Sequence, residues 1–313
     1  MLHLPDCWVW DSWYVDDGHR YHAFYLKASR ALLDPNRRHR RASVGHSISP
    51  DLVTWTEVTD ALVPADQPAF DDLAIWTGSI VRSGGEWRFY YTGISRADDG
   101  LVQRIGLATS PELLTWQRYN RNPIVTADHR WYGSRSEGSS NDEAWRDPWV
   151  FQISDGWHML ITARSNTGPV ETRGVVAHAR SDDGIEWTVT EPLAQPGHNF
   201  SQLEVNQVVE IDGRWVLIFC CGHRELSLDW QSRGEEGGIF AINASGPLGP
   251  FDTSAAYRLT GADLYAGRLV HMRNGEWVLL AFADRDRTGA FGGVICDPHP
   301  VGWNADGRLA ILT

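Results

Sequence analysis

Ser49-Pro-Asp-Leu-Val-Thr-Trp55 is the first of five segments in which a serine or aspartate is followed six residues later by an aromatic residue. The other four are Ser110-Pro-Glu-Leu-Leu-Thr-Trp116, Ser181-Asp-Asp-Gly-Ile-Glu-Trp187, Ser245-Gly-Pro-Leu-Gly-Pro-Phe251 and Asp297-Pro-His-Pro-Val-Gly-Trp303. Each follows a short apolar or alternating run that is typical of a β-strand, and its Ser, Asp, Pro and Gly residues favour turns. The segments therefore mark a strand–turn–strand unit that recurs along the whole chain.

A second repeat lies between these segments and consists of a glycine turn that leads into an aromatic-rich strand. The turn glycines are Gly18, Gly85, Gly156, Gly213 and Gly275. With both repeats each unit contains four strands, and no stretch shows a sustained helical pattern of apolar residues. Five units of four antiparallel strands predict an all-β protein, a five-bladed β-propeller. The fifth unit ends at Leu312, so we expect a single domain over residues 1–313; two stacked β-domains are the alternative.

The composition excludes several classes of protein. The 313 residues carry 28 basic and 40 acidic side chains, which gives a net charge of −12 and argues against nucleic acid as a partner. No apolar run is long enough for a transmembrane helix, so we expect no membrane partner. The basic cluster at 37–41 is predicted to be an exposed loop. The 16 tryptophans are numerous, and tryptophan serves either as a wedge in the core or as a flat platform for a sugar ring.

The cysteines and the N-terminal residues predict a cytoplasmic protein. Cys7, Cys220, Cys221 and Cys296 have no C-x-x-C spacing, so neither a zinc ribbon nor a dithiol redox site is indicated. The first residues have neither a basic region nor a long apolar region, and we therefore expect no secretion signal. Free thiols in a reducing cytoplasm are the simplest interpretation.

Three acidic residues occupy similar places in otherwise apolar strands. The first strand of each propeller blade lines the central channel, and Asp147 and Glu204 each lie nine residues before a turn glycine. In the shorter first unit, Asp11 lies seven residues before Gly18. All three separations from the glycine are odd numbers of residues. Because side chains alternate between the two faces of a strand, we expect the three carboxylates to face one end of the channel from equivalent positions. An acid buried in such a strand needs a partner or a chemical role, because an unpaired buried charge is costly.

Three carboxylates in a pocket rich in tryptophan suit glycoside hydrolysis. One carboxyl group can protonate the leaving oxygen, while a second carboxylate attacks the anomeric carbon or activates water. The transition state is cationic, so a third carboxylate stabilises it. Crowding like charges also raises one pKa, which keeps the acid protonated near neutral pH.

At this point the motifs resemble those of the clan that joins glycoside hydrolase families 32 and 68, the invertases, levanases, inulinases and levansucrases. Trp10-Asp-Ser-Trp13 looks like the nucleophile strand of the levansucrases, and Trp76-Thr-Gly-Ser79 is similar to a Trp-Ser-Gly-Ser motif of the second blade. Arg146-Asp-Pro148 matches an Arg-Asp-Pro motif, and Asp263-Leu-Tyr-Ala266 resembles Asp-Phe-Tyr-Ala of the fifth blade. The four motifs occur in order, each in its own predicted blade.

The resemblance implies roles for these residues. Asp11 would be the nucleophile, Asp147 the transition-state stabiliser and Glu204 the general acid/base. Arg146 would bind sugar hydroxyls, because a planar guanidinium suits a vicinal diol. The same resemblance and the same strands give five further candidate substrate contacts, Trp10, Trp13, Trp76, Ser79 and Tyr265. The implied activity is a retaining β-fructofuranosidase or fructosyltransferase on a small saccharide, without cofactor or catalytic metal.

Several alternatives stay open at this stage. Glu204 is followed by Val-Asn instead of the family's Cys-Pro, which makes Glu210 the nearest rival for the acid/base. An inverting propeller of the family 43 type, an arabinofuranosidase or β-xylosidase, would use Asp11 as a base. A non-catalytic carbohydrate-binding propeller and a structural Ca²⁺ ion in the channel are further alternatives. Retaining enzymes place the two carboxyl groups about 5–5.5 Å apart and inverting enzymes about 6.5–9.5 Å apart, and we expect the shorter separation for Asp11 and Glu204.

Overall fold

Five four-stranded antiparallel sheets form the protein, which was analysed as a computed structural model that describes residues 1–135 and 142–312. Within those residues each sheet uses four strands that are consecutive in the chain. The strands of blades 1 to 3 are β1 (Cys7–Asp16), β2 (Tyr21–Ser29), β3 (Ser43–Ser49), β4 (Thr56–Glu57); β5 (Ala74–Ser83), β6 (Glu86–Ile94), β7 (Gln103–Ser110), β8 (Gln117–Arg118); β9 (Trp145–Ile153), β10 (Gly156–Arg164), β11 (Gly174–Ser181), β12 (Thr188–Thr190). Those of blades 4 and 5 are β13 (Glu204–Ile211), β14 (Arg214–Cys221), β15 (Gly238–Ala244), β16 (Tyr257–Arg258); β17 (Leu264–His271), β18 (Trp277–Ala283), β19 (His299–Trp303), β20 (Leu309–Ile311).

Helical structure is confined to the connections between strands. The α-helix α1 spans Leu228–Ser232, and 3-10 turns occur at Arg30–Leu32, Pro35–Arg41, Arg96–Asp98, Val170–Thr172, His223–Glu225 and Thr253–Ala255. In the described parts of the chain, no helix has the length and apolar character needed to cross a membrane.

The innermost strands close the sheets into a ring, which confirms the predicted five-bladed propeller. Strand β1 contacts β5, β5 contacts β9, β9 contacts β13, β13 contacts β17, and β17 contacts β1 again. At this last interface Leu2 and Ile295 exchange two backbone hydrogen bonds. Each amide donates to the carbonyl of the other residue at 3.0 Å. The amide of Val9 also donates to the carbonyl of Gly293 at 3.0 Å.

The repeated serine segment forms the same turn between the third and fourth strands of the first three blades. In blade 1 the Ser49 hydroxyl accepts from the amide of Asp51, and Asp51 accepts from the amides of Val53 and Thr54. Leu52, which lies between Asp51 and Val53, has a φ of 64°. Ser110 and Ser181 accept from the chain in the same way, so the repeat is a hydrogen-bonded turn with one left-handed residue.

A β-bulge interrupts the innermost strand of every blade at the same place. The bulges leave one extra residue unpaired against the second strand, at Asp11, at Thr77, and within the pairs Asp147-Pro148, Val205-Asn206 and Ala266-Gly267. Asp147, Val205 and Ala266 have positive φ values of 58°, 55° and 49°. Because a bulge turns the strand and redirects its side chains, it places this level of each blade at the channel entrance.

The pairing corrects the predicted equivalence of the three acids. Asp11 and Asp147 occupy the same bulge position, but Glu204 lies one residue earlier, at the position that Arg146 and Tyr265 occupy in their blades. The counting from glycines is wrong by one residue because Gly156 is the first residue of β10. Gly213, by contrast, is the second residue of its turn, since Ile211 pairs with Arg214.

Candidate active site

A cavity of about 330 Å³ opens at one end of the central channel and brings the three predicted carboxylates together. Asp11, Asp147 and Glu204 all line it from three different inner strands, Asp11 and Asp147 at the bulge and Glu204 one residue before it. Four of the predicted substrate contacts line it as well, Trp10, Trp76, Arg146 and Tyr265. The predicted convergence of the acids from three blades is therefore observed, although their register differs.

Asp11 is a buried carboxyl group supported by the neighbouring blade. The hydroxyl of Thr77, which sits at the equivalent bulge of blade 2, donates to Asp11 Oδ2. Burial, with the nearby charge of Asp147, raises the pKa of Asp11 from 3.8 to about 7, and the hydrogen bond from Thr77 opposes that rise. Asp11 thus ionises close to neutral pH.

Asp147 is held rigidly by hydrogen bonds from its own blade and from blade 4. The hydroxyl of Thr162 donates to Asp147 Oδ2 at 2.9 Å, and the amide of Val205 donates to the same oxygen at 3.2 Å. The Asp147 amide donates to the hydroxyl of Thr92 at 2.9 Å. Burial raises the pKa of Asp147, while Arg146 acts in the opposite direction.

Glu204 receives two donors at the position preceding the bulge of β13. Arg146 Nη2 donates to Glu204 Oε1 at 2.6 Å, and the hydroxyl of Tyr265 donates to Glu204 Oε2. Each oxygen therefore has a partner from a neighbouring blade, and both partners occupy the position equivalent to that of Glu204. This contact fixes the carboxyl group toward the cavity.

Arg146 links the acids to the wall of the cavity. Its Nε lies 3.7 Å from Asp147 Oδ2, and its Nη1 donates to Gln103 Oε1 at 3.0 Å. Although burial acts to lower its pKa, the adjacent carboxylates of Glu204, Asp147 and Asp142 together raise the pKa of Arg146 above its ordinary value. Arg146 is therefore a permanent cation that balances part of the negative charge.

Two tryptophans and a histidine form an aromatic corner of the cavity. The indole nitrogen of Trp76 donates to the carbonyl of His39 at 2.7 Å. The His39 ring meets Trp10 and Trp76 edge to face, with centroids 6.2 and 6.4 Å apart. Burial and the neighbouring charge of Arg38 lower the pKa of His39 to about 4, so this ring is neutral near pH 7.

Sequence reasoning missed three charged residues that line the same cavity, Arg38, Asp142 and Asp284. Arg38 belongs to the basic cluster that was predicted to be an exposed loop, yet it is only 9% exposed. Its guanidinium lies 3.8 Å from the centroid of the Phe291 ring and 5.5 Å from that of Trp10. The cluster forms a 3-10 turn, Pro35–Arg41, and such a turn directs one of its side chains inward. The sequence analysis did not predict this turn.

Trp13 and Ser79 do not line the cavity, so the structure gives no support to their predicted contact with substrate. Trp13 is 1% exposed and packs on Phe24 and Phe89 in the core of blades 1 and 2. The Ser79 hydroxyl accepts from the amide of Val150 at 3.1 Å and joins two inner strands. Both residues follow a bulge, and the bulge turns their side chains away from the channel entrance. Glu210, the alternative acid, is exposed near the far end of β13.

The arrangement provides the groups that glycosidic cleavage requires. It combines two carboxyl groups whose pKa burial raises, a third carboxyl group held by an arginine and a tyrosine, and an aromatic wall. In residues 1–135 and 142–312 no group of three or more His, Cys, Asp or Glu side chains is arranged to hold a metal ion.

Known proteins resemble this chain in sequence. An uncharacterized protein of Mycobacterium tuberculosis is 29% identical over 218 residues, which cover 64% of this chain and 69% of that protein. The insoluble isoenzyme 1 of carrot (Daucus carota) β-fructofuranosidase is 31% identical over 177 residues, 54% of this chain and 26% of the enzyme. The chain thus spans about a quarter of the length of that plant relative.

Solved structures share the fold over nearly the whole chain. The inulosucrase from Halalkalicoccus jeotgali, determined with bound kestose, superposes with a TM-score of 0.79 at 20% identity and covers 99% of this chain and 90% of its own. The sequence model described as the glycosyl hydrolases family 32 N-terminal domain matches residues 13–290. The chain therefore belongs to glycosyl hydrolases family 32, through the N-terminal domain of that family.

Proposed function

We propose that this protein cleaves or transfers a β-linked fructofuranosyl unit of a small saccharide by a retaining mechanism. The observation that carries the proposal is the convergence of Asp11, Asp147 and Glu204 on one cavity of a family 32 propeller. The carrot relative is a β-fructofuranosidase, and the H. jeotgali neighbour is an inulosucrase bound to kestose; both names support a fructosyl substrate.

Each carboxyl group has a distinct part in the proposed mechanism. Ionised Asp11 attacks the anomeric carbon and forms a glycosyl-enzyme ester, while Glu204 donates a proton to the leaving oxygen. Glu204 then removes a proton from the incoming water or sugar hydroxyl, which releases the fructosyl unit from Asp11. Asp147, fixed by Thr162 and the Val205 amide, places its carboxylate beside the cationic transition state.

The size of the cavity favours a short substrate. About 330 Å³ is at the lower end of the range for small-molecule sites, roughly 300–1,000 Å³. The aromatic corner of Trp10, His39 and Trp76 provides an apolar wall for a sugar ring. Arg38 and Asp284 add one positive and one negative side chain to the same cavity, which suit the hydroxyl groups of a second sugar.

We place the protein in a reducing compartment, the cytoplasm. Cys220 and Cys221 are buried and free, and Cys7 and Cys296 are free and half-buried. Free thiols are common where glutathione keeps cysteines reduced, which supports this location.

One observation favours a second candidate, the inverting mechanism of the family 43 type. A general base works best when its pKa lies near the operating pH, and the pKa of Asp11 is about 7. In that case Asp11 would activate a water molecule instead of attacking the sugar. The first-formed product distinguishes the two mechanisms, because an inverting enzyme releases the opposite anomer.

The experiment is a substrate panel followed by NMR of the product. The purified protein is incubated with sucrose, kestose, short fructans and nitrophenyl arabinofuranosides and xylosides. We expect turnover of the fructosides, with β-fructose or a β-fructosyl product released first. Turnover of the arabinoside or xyloside alone would refute the proposal, release of inverted product would assign the second mechanism, and binding without turnover would indicate a carbohydrate-binding propeller.

A further inference from the structure

A second cavity, of about 250 Å³, lies at the other end of the channel. It is formed where the inner strands β1, β13 and β17 end, and its lining includes Tyr14, Asp16, Trp149, Gln207 and Arg268. None of these side chains lines the cavity that holds Asp11 and Glu204. The second cavity is therefore a separate feature of the propeller axis.

Arg268 is the main charged group of this second cavity. The residue is 1% exposed, and its Nη1 donates to the carbonyls of Val205 and Asn206 at 3.0 and 2.9 Å. Its Nε and Nη2 are buried and find no acceptor among the described residues. Burial lowers the pKa of Arg268 to about 10, although the charges of Asp147 and Asp11 act to raise it, and Arg268 is therefore a cation at neutral pH.

Trp149 adds a further donor that also lacks an acceptor. The guanidinium carbon of Arg268 lies 5.2 Å from the centroid of the Trp149 ring, and the indole Nε1 is buried without an acceptor among residues 1–135 and 142–312. The amide of Gln207 pairs with the backbone of β17, because its Nε2 donates to the Leu269 carbonyl and its Oε1 accepts from the Leu269 amide. Asp16 is held in an ion pair by Arg273, 2.8 Å from its Nε.

This cluster therefore offers three donor nitrogens, with four N–H bonds, and one positive charge that has no salt bridge among the described residues. A buried donor without a partner destabilises the folded protein, and a buried unpaired charge does so more strongly. A water molecule can accept only two hydrogen bonds and brings two donors of its own, whereas an anion accepts from every N–H and balances the charge. We propose that Arg268 and Trp149 form a binding site for a small monovalent inorganic anion, such as chloride, at this end of the channel.

The proposal does not depend on the catalytic function, since the two cavities have no residue in common. Bromide is a suitable probe because it resembles chloride and scatters X-rays anomalously. Crystals of the wild-type protein soaked in sodium bromide should show an anomalous peak within hydrogen-bonding distance of Arg268 Nε or Nη2. If saturating bromide gives no peak there, the proposal is wrong, whatever the variants do.

Thermal unfolding measures the same binding in solution. At constant ionic strength, replacing gluconate by bromide should raise the melting temperature in a saturable way, because a ligand that binds only the folded state stabilises it. The variant Trp149→Phe keeps an aromatic ring and loses one donor, and we expect roughly tenfold weaker bromide binding. Arg268→Lys should weaken binding further, since a point charge replaces the two unpartnered donors.

Arg180→Gln is the matched control, because it removes an exposed arginine from β11. It should respond to bromide as the wild type does. An equal response in the wild type, Trp149→Phe and Arg180→Gln would place the bound anion elsewhere and would refute the proposal. If Arg268→Lys fails to fold, the Trp149→Phe titration and the wild-type anomalous map still decide the question.

Discussion

The residues at or just before the inner bulges of blades 1, 3 and 4 differ in chemistry from those of blades 2 and 5, although all five inner strands have a bulge at this level. The first group carries Asp11, Asp147 and Glu204, whereas the second carries Thr77 and Tyr265 at the corresponding positions. Thr77 and Tyr265 donate hydrogen bonds to Asp11 and Glu204. The comparison shows that fivefold repetition supplies the positions, while the placing of acids in three blades and neutral donors in the other two produces the candidate site.

The strongest test of this difference is to neutralise an acid-bearing bulge. Asp11→Asn keeps the size of the side chain and removes the nucleophile, so we expect kcat/KM for the best fructoside to fall by about 10⁴-fold or more. Circular dichroism should show an intact fold. Asp6→Asn, an exposed residue just before β1, is the control and should retain full activity. Activity of Asp11→Asn within tenfold of the wild type would remove Asp11 from the mechanism.

The next test asks whether Glu204 is the acid. Glu204→Gln should lower turnover of sucrose by about 10²- to 10⁴-fold, because an alkoxide leaves poorly without a proton donor. A substrate with an activated nitrophenyl leaving group should lose much less. Glu210→Gln, on the same strand but exposed, should behave as the wild type. If the two substrates lose rate equally, Glu204 does not act as the general acid.

A smaller effect is expected at Tyr265, the neutral donor that precedes the bulge of blade 5. Tyr265→Phe removes the hydroxyl that donates to Glu204 Oε2, and a hydrogen bond to a charged group is worth about 1.5–3 kcal/mol. We expect a loss of about 10- to 100-fold in kcat/KM, well below that of the acid variants. Tyr257→Phe removes a hydroxyl at the outer edge of blade 4, where it donates to Asn243, and serves as the control. Equal losses in both variants would indicate a general effect on stability.

The smallest expected effect concerns stability and pH. Because the pKa of Asp11 rises from 3.8 to about 7 on folding, the folded state binds this proton more tightly, and Asp11 costs stability as the pH rises from about 4 to above 7. Asp11→Asn should therefore melt a few degrees above the wild type at pH 8 and show little difference at pH 4. Asp51→Asn should have the opposite sign at pH 8, since backbone hydrogen bonds lower the pKa of Asp51 to about 2. A lower melting temperature for Asp11→Asn at pH 8 would contradict the direction of the pKa shift.

The repeat of turn segments was sufficient to predict the propeller, because each blade is built from consecutive strands and its hydrogen-bonded turns are local in sequence. The meeting of Asp11, Asp147 and Glu204 followed from the same repeat. The predicted register of Glu204 relative to Asp147 was wrong by one residue. A hairpin glycine can lie inside the turn, as Gly213 does, or begin the next strand, as Gly156 does, and the sequence does not distinguish the two.

Side-chain direction beyond the bulge was a second limit. Strict alternation placed Trp13 and Ser79 at the site, but an unpaired residue at the bulge changes the parity of everything after it. Arg38 and Asp284 lie in connections between strands, where no periodicity indicates which side chain points inward. These positions depend on contacts between segments far apart in the sequence, which a local pattern does not contain.

The closure of the ring through Leu2 and Ile295 has a kinetic consequence. Four of the five interfaces between blades join neighbours in the sequence, whereas the fifth joins residues nearly 300 positions apart, 295 − 2 = 293 for this pair. Because the entropy cost of closing a loop grows with its length, we expect this seam to form last during folding and to open first in local unfolding. Asp11 lies on β1, one side of the seam. The candidate nucleophile therefore lies on a strand that borders the last interface to form, and hydrogen exchange should find the amides of Leu2 and Val9 less protected than those between blades 2 and 3.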